Sequence, residues 1–118
     1  MKQYAFGQYA TLKTSHDGYR CSTHWADVSE GSLRVYHVED RGQGGKNTLA
    51  AGHTPKTWTD VGPGHIKAST NFRSIDFTFT RGAWEFTLDG RTYRKNLPVC
   101  VGENDEYYKG IFAMCTIL

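Results

Sequence analysis

Cysteine, long apolar runs and strong net charge are all scarce in this 118-residue chain, and each scarcity excludes a class of protein. The three cysteines form no Cys-x-x-Cys and no Cys/His pair at zinc-ligand spacing, so we predict no metal site and no cofactor. No apolar run approaches the length that spans a bilayer, so we expect no membrane partner. A net charge of +2 permits an anionic partner without requiring one.

The chain does contain enough apolar and aromatic material for one folded domain. Hydrophobic residues make up 38% of it and aromatic residues 14%, which is too apolar for a disordered chain. The length is close to the commonest domain size, and there is no repeat, low-complexity segment or linker. We therefore predict a single domain over residues 1–118.

The cysteines leave two redox arrangements open. One disulfide and one buried thiol would suit a secreted domain, whereas three reduced thiols would suit a cytosolic one. The sequence opens with Met1-Lys2-Gln3-Tyr4 and shows no apolar signal core, so secretion would require a signal peptide outside this sequence.

Asp-Gly pairs mark two predicted hairpins. Asp17-Gly18 follows an alternating stretch from Tyr4 to Leu12 and precedes the strand-like Tyr19-Arg20-Cys21, which predicts an N-terminal β-hairpin. Asp89-Gly90 joins two further apolar runs in the same manner.

An antiparallel meander is predicted from residue 74 onward. Residues 74–80 alternate polar and apolar side chains, as a half-buried strand does. Strands at 84–88 and 91–93 follow, and a last hairpin joins 99–101 to the apolar stretch 110–115. The meander would supply most of the sheet.

The middle of the chain is ambiguous on local patterns alone. Asp27 and Glu30 have the spacing of a helix capping box, and valines at positions 28, 35 and 38 form a rough helical stripe. Alternation over residues 32–38 equally fits a strand. Residues 42–72 are dense in Gly, Pro, Thr and Asn and are interpreted as a long irregular loop.

The order of hairpin, helix, Gly-rich loop and meander resembles the microbial guanyl-specific ribonuclease family. Short segments resemble pieces of that family in the same order, namely 19–21, 26–29, 52–58, 75–79, 84–86, 99–105 and 109–112. The resemblance implies an α+β fold, with one short helix packed on a four- to five-stranded antiparallel sheet and an N-terminal β-hairpin. It also favours the helix in the ambiguous segment.

The catalytic set of that family is not retained. Glu85 matches the family's general base, but the general acid position falls on Met114. The family's Tyr-Pro-His becomes Thr54-Pro55-Lys56, and its Arg position falls near Pro98. Because this phosphoryl chemistry needs a base and an acid on opposite sides of the phosphorus, we predict a pseudoenzyme in which Glu85 is vestigial.

A ribonuclease-like domain that keeps Tyr-x-Cys without the catalytic set resembles the secreted effectors of powdery mildew fungi and related plant pathogens. The resemblance implies a virulence or avirulence protein that is secreted and then acts in the host plant cell cytoplasm. Its partner would be a plant immune receptor or another host protein. The group's pattern also implies a disulfide between Cys21 and Cys115. The 18 residues before Tyr19 depart from that group.

The predicted contact surface is the long loop with the neighbouring basic strand, because recognition usually lies in variable loops on a rigid scaffold. Its binding residues would be Lys46, His53, Lys56, Trp58, His65, Lys67, Arg91 and Arg94. The five histidines, at 16, 24, 37, 53 and 65, are otherwise interpreted as ordinary polar residues.

Two alternatives remain open. The basic residues that cluster after residue 73 favour an RNA-binding pseudo-ribonuclease, since Lys and Arg contact backbone phosphates. An unrelated all-β lectin-like or toxin-like binding domain would fit equally well if residues 25–42 are extended.

Overall fold

The computed structural model describes residues 2–11, 24–39 and 46–97. Within these ranges a short 3-10 helix, Lys2–Ala5, precedes nine β-strands. The strands are β1 (Gly7–Thr11), β2 (His24–Ser29), β3 (Ser32–Glu39), β4 (Lys46–His53), β5 (Thr57–Gly62), β6 (His65–Ser69), β7 (Ser74–Thr80), β8 (Ala83–Leu88) and β9 (Arg91–Lys95). Among the described residues, no helix has the length and apolar character needed to cross a bilayer.

The segment predicted as a helix is a β-hairpin. β2 and β3 pair antiparallel without a break, and Glu30-Gly31 forms the turn between them. Val28 and Val35 are buried and alternate with exposed neighbours, which is the period-two pattern of strands. The capping-box interpretation of Asp27 is wrong, because β-branched residues at alternating positions favour a pleated, half-buried strand over a helix.

The predicted irregular loop over residues 42–71 is also wrong, since it contains β4, β5 and β6. In β5, threonines flank Trp58. In β6, Ile66 and Ala68 are buried and alternate with half-exposed neighbours. Both segments therefore have the residue pattern of a half-buried strand. The glycines that favoured a loop include Gly52 and Gly62, which lie inside strands. Only Thr54, Pro55 and Lys56 separate β4 from β5, and Pro55 is buried.

The meander is confirmed where it is described, because β7, β8 and β9 pair consecutively and antiparallel. Both turns have positive φ at their two central residues: 50° at Arg81 and 87° at Gly82, then 51° at Asp89 and 81° at Gly90. This is the backbone of a type I′ hairpin turn, which explains the Asp-Gly signal.

The N-terminal strand has different partners from those predicted. β1 pairs with β2 on one edge and with β9 on the other. The predicted hairpin partner 19–21, the last hairpin at 99–115 and all three cysteines lie outside the described residues. The Cys21–Cys115 disulfide therefore stays a prediction.

All nine strands form one antiparallel sheet in the order β4-β3-β2-β1-β9-β8-β7-β6-β5. The predicted α+β fold, with a helix on a four- to five-stranded sheet, is therefore wrong. The described residues are nearly all β and contain no α-helix. The helix that should have identified a ribonuclease-like fold is the β2–β3 hairpin, so the resemblance in segment order does not extend to the architecture.

The sheet is strongly curled into a half-barrel. In a flat sheet, β5 would lie about 24 Å from β1, at roughly 4.8 Å per strand over five steps. Instead, the rings of Phe6 and Trp58 are 5.3 Å apart, and the Trp58 Nε1 donates to the Glu30 carbonyl at 2.8 Å. The curl brings an edge strand back against the β2–β3 turn.

The concave face of the half-barrel is the hydrophobic core. Aromatic rings fill its centre, where Phe77 contacts Tyr9, Phe86 and Trp58. Tyr9 is fully buried, and its hydroxyl donates to the Ala5 carbonyl at 2.6 Å. Residues of β1, β2, β3, β6, β7, β8 and β9 belong to this one cluster, so the described strands share a single core.

Candidate functional site

From β1 to β4, the core-facing residues change from apolar to polar between two adjacent rows of the sheet. On β9 the order is reversed, since Lys95 lies opposite Tyr9 and the core residue Tyr93 lies opposite Thr11. The first row crosses β1 to β4 and consists of Tyr9, Ala26, Val35 and Ala51. The next core-facing row crosses β9 to β4. It lies two residues further along β1, β2 and β3 and three residues further along β4, because the β3–β4 register shifts between Val35 and Tyr36. It consists of Tyr93, Thr11, His24, His37 and Thr48. We call this second set the histidine row.

Two histidines occupy the middle of the histidine row. His24 and His37 are directly opposite each other on β2 and β3, and their rings stack with centroids 4.5 Å apart and planes 21° apart. Each lies two residues from a core residue of its own strand, Ala26 or Val35, and therefore projects from the core face. Both side chains are half-buried.

Arg91 adds a permanent positive charge to this end of the core face. It begins β9, opposite the core residue Leu88 and two residues before the core residue Tyr93. Burial, the nearby Arg91 and His37 together lower the pKa of His24 to about 4, and burial is the largest of these causes. His24 is therefore neutral near pH 7, beside a guanidinium that stays charged.

A second group of charged residues surrounds His53 at the end of β4. Arg73 lies in the β6–β7 turn and Asp89 in the β8–β9 turn. The Arg73 guanidinium lies 3.2 Å from the Asp89 carboxylate, so this ion pair links the two turns. Burial lowers the pKa of His53, the nearby Arg73 lowers it too, and Asp89 opposes them. The His53 Nε2 is buried and has no hydrogen-bond partner. His53, predicted as a loop residue, is thus a half-buried strand residue opposite Leu33.

Glu85, the predicted vestigial base, is held in a structural ion pair. Its carboxylate lies 2.9 Å from the guanidinium of Arg94, its direct neighbour across β8 and β9. Their side chains are only 12% and 18% exposed. Arg94 also donates to the Arg81 carbonyl at 2.6 Å. Arg94, predicted as a binding residue, is therefore occupied within the sheet.

The other predicted binding residues are spread over different parts of the sheet. Lys46 begins β4, and Lys56 is exposed in the link between β4 and β5. His65 lies 2.9 Å from Asp76, and Lys67 is opposite the same aspartate, on the side of the sheet away from the core. Trp58 faces the core. These residues do not form one surface.

Of the predicted binding residues, Arg91 lies at the histidine row, while His24 and His37 were missed. The signal that could have found them is the alternation His24-x-Ala26-x-Val28, which places a histidine on the apolar face once the segment is recognised as a strand. The helical interpretation hid that pattern.

Within the described ranges, no group of three or more His, Cys, Asp or Glu side chains is arranged to hold a metal ion. Comparisons with protein-family models, with curated proteins and with solved structures find no match to this chain.

Proposed function

We propose that this protein is a non-catalytic binding module that holds a small anionic ligand, a carboxylate or a phosphate, at the histidine row beside Arg91. The observation that carries the proposal is the placement of Arg91 next to a stacked, half-buried histidine pair on the core-facing side of the sheet. Ligand sites are mostly apolar surfaces that carry a few convergent polar groups, so the alignment of these polar side chains in one row favours a ligand-binding role.

The electrostatics of the row favour an anion over a cation. The charged neighbours that act on His24 are Arg91 and His37, and both lower its pKa. No carboxylate of the described residues is among the groups that shift the pKa of His24. Four of the described carboxylates are in ion pairs, namely Glu30 with Lys2, Asp76 with His65, Glu85 with Arg94 and Asp89 with Arg73. An anion at the row would gain a charge-assisted hydrogen bond from Arg91, and the neutral His24 ring still has one N–H that can donate to it.

The RNA-binding alternative has less support. It needs unpaired cations spread over one face, yet Arg73 and Arg94 are in ion pairs, and the Lys95 ammonium donates to the Tyr4 carbonyl at 2.7 Å. The predicted effector role rested on a ribonuclease-like fold, and the nine-stranded sheet of the described residues does not have that architecture. Secretion and recognition by a plant immune receptor stay predictions without a structural argument.

Titration of the protein with inorganic phosphate and with citrate, followed by calorimetry and by the NMR signals of the histidine rings, tests the proposal. We expect saturable binding, with the His24 and His37 rings shifting and the pKa of His24 rising as the anion binds. Arg91→Gln should weaken binding at least about tenfold, because a hydrogen bond to a charged group contributes roughly 1.5–3 kcal/mol.

Arg81→Gln is the matched control. Arg81 is an exposed arginine in the β7–β8 turn, away from the histidine row, so this variant removes the same charge and should bind as the wild type does. Equal weakening in both variants would mean a general charge effect, and no saturable binding of either anion would refute the proposed site.

A further inference from the structure

The convex face of β2, β3 and β4 carries a row of large apolar side chains. Trp25 and Tyr36 lie directly opposite each other, and their rings stack with centroids 4.4 Å apart and planes 19° apart. Leu49 continues the row on β4, opposite Tyr36, and is 54% exposed. Each aromatic residue is next in sequence to a core residue, Ala26 or Val35, so it projects from the other side of the sheet. Both are half-buried and keep part of their surface exposed.

A pair of opposite charges lies in the next row of the same face, towards the β2–β3 turn. Asp27 and Arg34 are directly opposite each other, two residues from Trp25 and Tyr36 respectively. Both are exposed. Within the part of the chain that the structure describes, neither side chain takes part in an ion pair or a hydrogen bond. The carboxylate and the guanidinium are therefore available to a ligand, the first as an acceptor and the second as a donor.

The strand beside Arg34 leaves room for a ligand. Gly52 lies opposite Arg34 on β4, is exposed, and would place a Cβ atom with no neighbour within 4 Å. β4 is also the outermost strand of the described sheet on this side. A molecule that contacts the apolar row can therefore extend over the Gly52 backbone and reach the Arg34 side chain.

The size and charge of this surface favour a small neutral ligand. The surface spans three strands, about 10 Å at roughly 4.8 Å per strand, and two residues along each strand, about 7 Å. A specific protein–protein interface covers about 800 Å² on each partner, which is several times larger. The charges of Asp27 and Arg34 cancel, so the surface selects neither an anion nor a cation. It instead suits groups that both donate and accept hydrogen bonds, as hydroxyls do.

We propose that this surface binds a neutral carbohydrate, whose C–H groups pack on the row of Trp25, Tyr36 and Leu49 while its hydroxyls bond to Asp27 and Arg34. A sugar ring has both kinds of group. Its C–H bonds are attracted to aromatic faces, which carry partial negative charge. Its hydroxyls can donate to a carboxylate and accept from a guanidinium. The histidine row lies on the opposite, concave face, so this site does not depend on anion binding there.

An array of neutral and acidic glycans, probed with biotinylated protein on streptavidin tetramers, tests this inference, since multivalent display makes a weak site detectable. The best neutral binder is then titrated as a free oligosaccharide and followed by the NMR signal of the Trp25 indole N–H. We expect saturable binding that shifts this signal. Arg34→Gln should weaken binding at least about tenfold, because it removes a hydrogen bond from a charged group. Asp27→Asn should weaken it too, and both variants should fold, since both positions are exposed.

Lys67→Gln is the matched control. Lys67 lies opposite Asp76 on the convex face, so it belongs to a cross-strand pair of opposite charges outside the proposed surface, and its replacement should leave the affinity unchanged. Arg91→Gln separates the two sites, because it should weaken phosphate binding and still bind the neutral glycan.

Three results would overturn the inference. One is an array without a neutral glycan that binds, and another is a neutral glycan that Arg34→Gln binds as tightly as the wild type does. The third is selection of acidic glycans alone, with binding lost in Arg91→Gln, which would assign the glycans to the histidine row.

Discussion

The concave face of the sheet has two regions with opposite chemistry. In the aromatic centre, the rings of Tyr9, Phe77 and Phe86 contact one another. At the histidine row, the same face carries a stacked imidazole pair next to a guanidinium. The first region is packed from aromatic rings, whereas the second carries polar side chains on the same side of the sheet. Under the proposed function, that difference separates the residues that stabilise the fold from those that contact a ligand.

Two arginines on β9 repeat this contrast over three residues. Arg94 faces away from the core. Its guanidinium forms an ion pair with Glu85 and donates to the Arg81 carbonyl, so its charge is neutralised within the protein. Arg91 projects from the core face beside His24. A sequence shows two equivalent basic residues, but the strand alternation gives them different roles.

The largest expected effect comes from the aromatic centre. Phe77→Ala should destabilise the protein by about 3–5 kcal/mol, because Phe77 is fully buried and its removal leaves a cavity among three rings. Phe72→Ala removes the same side chain from an exposed position and should change stability by less than about 0.5 kcal/mol. Urea denaturation of both variants measures the difference. Similar losses would contradict the placement of the core.

Breaking the ion pair between Glu85 and Arg94 should cost less stability than truncating Phe77. Glu85→Gln should cost about 2 kcal/mol, because it leaves the guanidinium of Arg94 largely buried without its counter-charge. Arg91→Gln should cost less than about 0.5 kcal/mol, since Arg91 is exposed. Thermal unfolding of the two variants tests this order, and a larger loss for Arg91→Gln would reverse our assignment of the two charges.

The smallest expected effect is a loss of stability in acid that depends on the histidine row. The pKa of His24 is about 4 in the folded protein, below its ordinary 6.5, so the unfolded chain takes up the proton first as pH falls. The contribution of His24 should be complete above about pH 6.5 and should diminish towards pH 4. We expect a loss of about 1 kcal/mol, reduced from the full shift because His24 is only partly buried.

Urea denaturation at pH 7 and pH 4.5 measures this dependence. His24→Gln should lose less stability than the wild type between those two values, and phosphate should protect the wild type if it binds at the row. A His24→Gln variant with unchanged acid sensitivity would show that other groups carry the effect.

The strands with clean local signals were predictable from the sequence. The alternation over Ser74–Thr80 and the Asp89-Gly90 turn identified the β7–β9 meander, because both features are encoded within a few residues. The β2–β3 hairpin could not be predicted in the same way, because the spacing of Asp27 and Glu30 also matches a helix capping box. Only pairing with the rest of the sheet decides that these residues are extended.

The candidate site was harder to predict from the sequence than the fold. His24 and Thr11 are separated by twelve residues in sequence, and Arg91 by many more, so no local pattern brings them to one row. Their proximity depends on β1 lying between β2 and β9. The resemblance in segment order also directed attention to Glu85, whose pairing with Arg94 requires the register of two strands.

The short link Thr54-Pro55-Lys56 has a consequence for how the chain could be assembled. β4 and β5 are neighbours in sequence but lie at opposite edges of the sheet order, so no strand pairing joins them within the described residues. A cut at this link would leave β1–β4 and β5–β9 each as an unbroken meander. The pairing of β1 with β9 bridges more than eighty residues, so we expect it to form after the local hairpins. We therefore expect two separately produced fragments, divided at Pro55, to reassemble by completing that ladder and the core that the two halves share.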